Sequence, residues 1–552
     1  PAQDYIVDVD EPKCLQCLPN DAQFRNYREV YDARLKPVGW SVVGFDDSDW
    51  QHAVLAHENG LPSRLKLSAR GKPLLQEWEE WPVGVAESAN VFDSNALLRK
   101  RGGFASFEPN CGSYVVVDFG REVVGFPTLR FRDSGLAVVD VISGMALSDC
   151  SNPCALDAQA VADRVIVDGG RREWSTFGRR AFRYLRVMCR AIERPVCIES
   201  VSVRRIGYPL EQVSTFECSD AKLNELWQSS VHRLRLCMQD TFEECPAADV
   251  HPSPPSLARI QALANYHCFY DRYLPREALR RFARISKSDP AWIAMLHDYY
   301  LYTGDCMLVR DLYESVVSTV DSWTQIAPSH YAALRDASKL AQAVGDAARA
   351  MGWHDRADDV KRRLGRQVSE ELHPMADITA SDLIDARNGD PSVVYVLSAI
   401  VLGVRPSMPE SDVVIVQPKP DKLLWAKGRL AIRETYAEVA WNVSENCFVV
   451  EINAPGGFIL GLPVLGFKNP VVDEIDLTPE TPERRARRTY GWGTAIWRDG
   501  EERDPYLDWL KAQDEEPPAH YKPQPRCVME SGYLWIRKGA SHKVRYEVTE
   551  SK

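Results

Sequence analysis

The stretch SDAKLNELWQSSVHRLRLCMQD, residues 219–240, marks the point where the sequence changes from strand patterns to helical patterns. Its apolar side chains recur every three or four residues, which is the period of one face of an α-helix. They are Leu223, Leu226, Trp227, Val231, Leu234 and Met238. Ser219 and Asp220 are residue types that cap a helix N-terminus. The pattern predicts an amphipathic helix that buries one face.

Further helical patterns follow as far as residue 402. They cover about 256–271, 275–286, 290–303, 305–324, 329–351, 353–372 and 391–402. Gly304 and Gly352 are expected to end helices, and Asp305 is expected to begin the next one, because glycine favours helix C-termini and acidic residues favour N-termini. Helices joined by such short links pack as antiparallel hairpins. We therefore predict a helical-hairpin domain over residues 211–404.

Strand patterns lie on both sides of the helices. The first 210 residues contain short apolar or alternating runs that are closed by Gly, Asp or Ser, which is typical of antiparallel β-sandwiches. They are 113–120, 136–143, 163–170 and 182–189. Strand patterns return after Gly403 and predict a second β-sandwich over 405–552, with a long surface loop at 498–525. The predicted fold class is multidomain β + α, with one or two β-sandwich domains in 1–210.

Composition limits the partners. The chain has 552 residues and a formal net charge of −11, which argues against nucleic acid or an anionic membrane as the main partner. No apolar run approaches the roughly 18 residues of a spanning helix. The first residues, PAQDYIVDVDEPKC, show no secretory signal pattern, which favours a cytoplasmic protein, although a processed precursor would look the same. The oligomeric state stays open.

The cysteines do not indicate a disulfide framework or a metal site. All 14 are spread over the length of the chain. Cys14 and Cys17 form one close pair, and Cys150 and Cys154 form another, but the two spacings differ and the pairs lie far apart in sequence. We expect free thiols, no metal and no cofactor. The sequence also lacks a glycine-rich phosphate loop, a nucleophile elbow and an HExxH motif.

Several short sequence motifs, taken in their order along the chain, resemble motifs of the family 78 glycoside hydrolases, the bacterial-type α-L-rhamnosidases. The words are GFDDSDWQHA (44–53), YVVVDFGREVVGFPTLRF (114–131), RRAFRYLRV (179–187), the stretch 215–246, LHDYYLYTGD (296–305) and the stretch 393–430. The resemblance touches nearly the whole chain. It implies an N-terminal jelly roll, a toroid of six helical hairpins and a C-terminal β-sandwich. Only eight of the twelve toroid helices can be placed, so either the toroid is reduced or internal segments are missing.

The resemblance also implies an inverting mechanism, which needs two carboxyl groups roughly 6.5–9.5 Å apart. In the family, the acid is a Glu four residues after the Cys of a Cys-Pro pair. In EECPAADVHPSPPS (243–256), that position is Asp249. The Trp and the Gly-Asp that follow in the family become Ser253, Pro255 and Ser256, so the second acid of the loop is missing.

Other residues are candidates for the same chemistry. Glu244, beside Glu243, is an alternative acid at the loop entrance, and Glu371, beside Glu370, lies where the family has its base. His251 stands in a stiff proline loop and has a side chain suited to proton transfer near neutral pH. For each of them the alternative is a solvated residue of a loop or a helix end.

A further set of side chains is predicted to bind the substrate. Sugars stack on aromatic rings, and apolar ligands fill pockets that such rings line, although rings at helical spacing often belong to the core. The candidates are Arg259, Tyr266, His267, Trp292, Tyr299 and Trp323.

Three functions are therefore open. The leading hypothesis is inverting hydrolysis of terminal α-L-rhamnosides, with a glycoside as the substrate. The second is a repurposed scaffold that performs non-hydrolytic chemistry on an apolar small molecule, such as a cyclisation or cycloaddition in natural-product biosynthesis. Such a step needs shape and hydrogen-bond donors rather than paired acids. The third is a non-catalytic carbohydrate-binding protein.

Overall fold

The tertiary structure is a computed structural model. The residues that it describes are 27–37, 39–53, 69–100, 102–109, 112–133, 135–151, 161–167, 169–190, 194–246, 251–286, 289–323, 328–364, 380–383, 389–409, 413–433, 435–444, 447–454 and, further on, the strands given below. The chain forms two compact units. One comprises Pro1–Pro209 with Cys245–His251, and the other comprises Leu210–Glu244 with Pro252–Lys552.

The first unit is built from eleven described strands, with a 3-10 turn at Ser94–Leu98 and the short helix α1 (Leu147–Ser151). The strands are β1 (Tyr27–Asp32), β2 (Gln76–Glu80), β3 (Gly84–Ala89), β4 (Val91–Phe92), β5 (Ala105–Phe107), β6 (Ser113–Asp133), β7 (Ala137–Gly144), β8 (Val161–Val167), β9 (Arg172–Ser175), β10 (Arg180–Cys189) and β11 (Val196–Gly207). Their order is β1-β8-β7-β10-β6-β11-β5-β4, with β2 on β11 and with β3 and β9 on β6.

The long strand β6 organises this unit. Its first half pairs with β10 and β3, and its second half pairs with β11 and β9. Val115, Val117 and Phe119 of β6 point into the apolar core, where the Phe119 ring meets the Phe182 ring edge-on at 5.3 Å. Alternation along the strand thus produces the buried face that the sequence pattern indicates.

A buried ionic cluster fixes the same unit. The Arg180 guanidinium donates to Asp163 at 2.6 Å and to Glu29 at 2.9 Å, and all three side chains are buried. Glu29 also accepts the backbone N–H groups of Phe177 and Gly178 at 2.9 and 2.6 Å. Charges removed from water need such partners, so the cluster holds β1, β8 and β10 together.

We expect Arg180→Met to destabilise the first unit by about 3–5 kcal/mol, because two buried carboxylates would lose their arginine. Urea unfolding followed by circular dichroism measures the change. The matched control is Arg204→Met, whose ion pair with Glu77 at 2.7 Å is about half exposed. Its loss is expected to stay below about 1 kcal/mol. Equal losses in the two variants would contradict the role given to the buried cluster.

The second unit contains the helical region. The helices are α2 (Ala221–Cys237), α3 (Pro255–Tyr266), α4 (Tyr273–Ile285), α5 (Ala291–Thr303), α6 (Cys306–Ser322), α7 (Pro328–Val344), α8 (Ala347–Leu364), α9 (Ala380–Leu383) and α10 (Pro391–Tyr395), which continues as a π-helical turn at Val396–Val401. Asp220 caps α2 by accepting the Leu223 N–H at 3.1 Å. Within the described helices, none is both long and apolar enough to cross a membrane.

The predicted helix ends are right at one glycine and wrong at another. Gly304 has φ +70° and ends α5, and Asp305 caps α6 by accepting the Leu308 N–H at 3.1 Å. Gly352, in contrast, lies inside α8. The break comes at Gly345, which has φ +87°, and Asp346 accepts the Arg349 N–H at 3.1 Å in the first turn of α8. A left-handed backbone favours glycine, and only Gly345 stands where the chain needs it.

The described helices form a connected set of packed neighbours. Helices α3, α5 and α7 form one row of neighbours, and α10 contacts both α3 and α2. Helices α4, α6 and α8 connect and follow them, with α8 packed on α7, α6 on both α4 and α7, and α4 on α5. The row α3–α5–α7 is thereby covered by its own connecting helices, as expected for helices linked by short turns.

The strands after the helices form further sheets. They are β13 (Val404–Pro406), β14 (Val414–Val416), β15 (Trp425–Ile432), β16 (Thr435–Val443), β17 (Cys447–Asn453), β18 (Phe458–Gly461), β19 (Phe467–Val472), β20 (Ile475–Asp476), β21 (Ile496–Arg498), β22 (Glu501–Arg503), β23 (Cys527–Glu530), β24 (Tyr533–Ile536) and β25 (Ser541–Val548). The strand β12 (Thr215–Cys218), which precedes α2, joins the sheet β12-β15-β16-β17-β25-β19-β20. A second sheet has the order β13-β14-β18-β24-β23, and β21 pairs with β22.

The order of strands, then helices, then strands confirms a multidomain β and α protein. The hairpin of β21 and β22 lies at the start of the segment 498–525 that was predicted to be a loop, and the rest of that segment is outside the described residues.

Candidate active site in the helical row

An ion pair joins the first two helices of the row. Pro255 begins α3, where its fixed φ suits the first turn, and Arg259 follows one turn later. The Arg259 Nε donates to Asp298 Oδ2 of α5 at 2.6 Å, and both side chains are buried. Burial alone would lower the pKa of Arg259, but the Asp298 and Asp336 carboxylates raise it above its ordinary value. The guanidinium is therefore charged.

A second polar group joins α5 to α7. The His297 Nδ1 lies 3.3 Å from Asp336 Oδ1, and the Lys339 Nζ lies 3.3 Å from the same oxygen. Burial lowers the pKa of His297, although Asp336 opposes the shift. The imidazole is therefore neutral near pH 7 and can accept a proton.

Aromatic side chains and a second histidine extend this group of polar contacts. The His267 Nε2 shares a hydrogen bond of 2.7 Å with the Tyr302 hydroxyl, and the Tyr395 ring meets the His267 ring edge-on at 5.2 Å. The Tyr266 ring stacks on Tyr302 at 4.6 Å. Burial raises the pKa of Tyr266 and Tyr302 well above the ordinary phenol value, so both hydroxyls stay protonated. Within the described part of the chain, the Tyr266 hydroxyl has no hydrogen-bond partner.

We call these residues the polar seam. Its members are Arg259, Tyr266, His267, His297, Asp298, Tyr302, Asp336, Lys339 and Tyr395. The contacts Arg259–Asp298 and His267–Tyr302 advance in the same direction along both chains, so α3 and α5 lie parallel. The seam offers charged pairs, protonated phenols and a neutral imidazole in fixed positions. Such groups can orient polar ligands and stabilise developing charge without reorganising.

Three of the predicted binding residues belong to the seam, namely Arg259, Tyr266 and His267, and three do not. Trp292 is fully buried in α5. The Tyr299 hydroxyl donates to Asp305 at 3.0 Å and so braces the turn between α5 and α6. The Trp323 ring, at the end of α6, meets the His330 ring at 4.5 Å.

Two of the predicted catalytic residues, Glu244 and His251, belong to the described part of the segment between α2 and α3. Glu244 and His251 are exposed. Asp249 and Glu371 lie outside the described residues. The pairs Cys14/Cys17 and Cys150/Cys154 are likewise outside them except for Cys150, which is buried. Among the side chains that can be placed, no three His, Cys, Asp or Glu residues group as a metal would require.

The base of this loop is held by hydrogen bonds. Glu243 forms a β-bridge with Pro252, and the Ser253 N–H donates to the Phe242 carbonyl at 2.8 Å. The Gln261 amide of α3 donates to the Glu243 carbonyl at 2.7 Å and accepts the Ser253 hydroxyl at 2.8 Å. The two ends of the loop therefore meet beside α3, close in sequence to Arg259.

The structure resembles solved α-L-rhamnosidases over most of its length. The α-L-rhamnosidase from Dictyoglumus thermophilum matches 94% of this chain with 69% of its own, at a TM-score of 0.62 and 17% identity. The α-L-rhamnosidase of Streptomyces avermitilis complexed with L-rhamnose matches 94% of this chain with 58% of its own, at a TM-score of 0.62 and 14% identity. This chain has the fold of the family 78 α-L-rhamnosidases.

The likeness to this rhamnosidase fold extends to a third enzyme, the family 78 rhamnosidase of Bacillus sp. GL1, with a TM-score of 0.53 and 18% identity over 63% of this chain. The chain spans only 53% of that enzyme, so it covers about half to two thirds of the rhamnosidases that it matches. No protein-family model and no curated protein matches the sequence. The resemblance predicted from the sequence words is thus confirmed at the level of the fold.

Sequence reasoning missed several residues of the seam in this rhamnosidase-like fold. His297 and Asp298 lie in the word LHDYYLYTGD, which was used only as a sign of resemblance. Asp336 and Lys339 lie in the apolar pattern of α7. A carboxylate among core positions of a helix is the signal that would have found Asp298 and Asp336, because an acidic side chain is almost never buried without a partner.

We expect Arg259→Met to cost about 3–5 kcal/mol of folding stability, because Asp298 would stay buried without its arginine. The double variant Arg259→Met/Asp298→Leu should lose less than the single variant, since it removes both charges. Urea unfolding of the two variants measures the difference. Arg363→Met is the control, because its ion pair with Asp359 at 2.7 Å is largely exposed. If the stability lost in the double variant equals the sum of the losses from the two single substitutions, Arg259 and Asp298 are not coupled.

The lowered pKa of His297 predicts an acid-sensitive fold. The unfolded state binds this proton more readily, so the stability that the neutral imidazole contributes is present above about pH 6.5 and is lost as pH falls through the lower folded pKa. His297→Gln should therefore flatten the decline of the urea midpoint between about pH 7 and pH 5. His354→Gln is the matched control, because His354 is 46% exposed. If the urea midpoint declines equally steeply in the unaltered protein, in His297→Gln and in His354→Gln, His297 is not the source of the acid sensitivity.

Proposed function

We propose that this chain is an α-L-rhamnosidase-like protein that hydrolyses terminal rhamnosides with inversion. The observation that carries the proposal is the fold likeness over 94% of the chain, which includes a protein solved with L-rhamnose. The division into an N-terminal jelly-roll region (1–210), a hairpin toroid (211–404) and a C-terminal β-sandwich (405–552) belongs to the same proposal. The parallel arrangement of α3 and α5, with α4 returning between them, supports a toroid of which these helices are a part.

In this proposal the loop between α2 and α3 supplies the acid. Asp249 protonates the glycosidic oxygen, with Glu244 as the alternative acid. Glu371 takes the proton from a water molecule that attacks the opposite face of the sugar ring. The hydrogen bonds at the base of the loop support this assignment, because they hold both of its ends beside α3. His251 stands in the same loop and is a second candidate for proton transfer.

The polar seam serves the sugar in the same scheme. Arg259, Tyr266 and His267 line the start of the helical row, and their charged or protonated groups suit the hydroxyl groups of a sugar. The unpartnered Tyr266 hydroxyl supports a role in binding, because a buried hydroxyl without a partner costs free energy. Trp292, Tyr299 and Trp323 are assigned to the supporting shell of the substrate site.

The test is the release of L-rhamnose from an aryl α-L-rhamnoside. Asp249→Asn and Glu371→Gln are each expected to lower the rate by about 10²–10⁴-fold, which is the usual contribution of a general acid or base. NMR of the first-formed sugar anomer should show inversion. The control is Glu225→Gln, since Glu225 is an exposed carboxylate of α2. Unchanged hydrolysis in the Asp249 variant would remove the acid assignment, and no hydrolysis by the unaltered protein would remove the proposed activity.

A repurposed scaffold is the second candidate, and one contact favours it. Ser253 stands at the position of the family's Trp. Its hydroxyl donates a buried hydrogen bond to the neutral Gln261 side chain. The protonated phenols and the neutral His297 imidazole of the seam would then bind an apolar small molecule and guide non-hydrolytic chemistry, such as a cyclisation or cycloaddition. Thermal shift assays with L-rhamnose and with a panel of apolar polycyclic ligands separate the candidates. Stabilisation by rhamnose alone would exclude the repurposed scaffold, and rhamnose binding without turnover would indicate a carbohydrate-binding protein.

A further inference from the structure

A cleft in the first unit carries an excess of positive charge. Its volume is about 900 Å³, which is within the range of ligand-binding pockets. Five cationic side chains and two carboxylates line it, and they are Lys100, Arg130, Arg132, Arg171, Arg172, Glu173 and Glu199. The cleft therefore has three more positive than negative groups, in a chain whose formal net charge is −11. A local reversal of sign indicates attraction of an anion.

The strand register explains why the charges gather there. Arg130 and Arg132 are two residues apart on β6, and both line the cleft. Across β9 and β6, Arg172 pairs with Phe131 and Glu173 pairs with Arg130. The two strands therefore bring four charged residues of the cleft, Arg130, Arg132, Arg172 and Glu173, into one short stretch of pairing.

The cations of the cleft differ in how far they are already neutralised. Arg130 lies between Glu173 at 2.7 Å and Glu79 at 3.2 Å, and Arg171 lies 2.8 Å from Glu199. Arg172 donates to the Gly169 and Ala33 carbonyls, both at 3.3 Å. These three arginines already have partners within the fold.

Two cations of the cleft remain for a ligand. The Arg132 guanidinium lies over the Phe104 ring, 4.8 Å from its centre, and this contact limits the positions of the guanidinium. Lys100 and Arg132 are exposed, and neither forms an ion pair with another residue of the described ranges. They are available to an anion from solution.

We infer that this cleft binds a carboxylate-bearing oligosaccharide. Guanidinium groups bind carboxylates through two parallel hydrogen bonds, and a ring-held arginine loses little freedom in doing so. Lys100 and Arg132 come from different segments of a cleft of about 900 Å³, which has room for a chain of charged units rather than only a single small ion. The choice of a sugar chain rests on the proposed function, whereas the anion site itself does not.

Calorimetry with a tetramer of galacturonic acid tests the inference on the full chain. Binding should weaken as salt is raised from about 0.05 to 0.3 M, because salt screens exposed charges. The variant Lys100→Ala/Arg132→Ala should weaken binding at least about tenfold, since it removes two charge-assisted contacts. Arg121→Ala is the control, because Arg121 is an exposed arginine of β6 that does not line the cleft. Thermal unfolding checks that each variant is folded.

Three outcomes would overturn the inference. They are no binding of the tetramer, equal binding of its neutral methyl ester, and an unchanged affinity in the Lys100→Ala/Arg132→Ala variant. Inorganic sulfate that binds as tightly as the tetramer would show a site for small anions and would exclude the oligosaccharide. The measurement is repeated with Asp249→Asn. Loss of hydrolysis with binding retained separates failure of the proposed activity from failure of this site.

Discussion

The buried ion pair between Arg259 and Asp298 is the constraint on which the helical row depends. Two charges removed from water must stay together, since the effective penalty is several kcal/mol for each ion that loses its partner. The pair fixes the rotation of α3 against α5, and residues one and two turns further along the same faces then meet as Tyr302 and His267. The seam is thus a consequence of one compensated charge pair together with close packing of the row.

The same physical rule governs the first unit, although with a different result. Arg180 is buried between Asp163 and Glu29, and this cluster fixes the strands. Arg132 is not buried in this way and lies in an open cleft against Phe104. Compensated buried charge stabilises the fold, while exposed and uncompensated charge remains available for binding. Buried arginines with carboxylate partners therefore stabilise the fold, whereas exposed arginines without them can bind a ligand.

The predicted catalytic loop shows where local patterns stop being sufficient. The sequence places Asp249 after Cys-Pro and a proline run before α3, and resemblance gives the position its meaning. The hydrogen bonds of Gln261 that hold the base of this loop were not predicted, because Gln261 reads as an ordinary residue of an amphipathic helix. Gly352 shows the same limit. Glycine permits a helix end, but the helix ends at Gly345, where the backbone takes a positive φ.

The sequence by itself determined the order of strands, helices and strands, the cap at Asp220 and the likeness to family 78 rhamnosidases. These features depend on residues close together in the chain, through the periods of 2 and 3.6 residues and through short words. Only the tertiary structure decided that Arg259 meets Asp298, that His297 meets Asp336 and that Arg171 meets Glu199. Partners of this kind are distant in sequence, and helix packing or strand register selects them. Periodicity predicts which side of an element is buried, but not which side chain lies opposite.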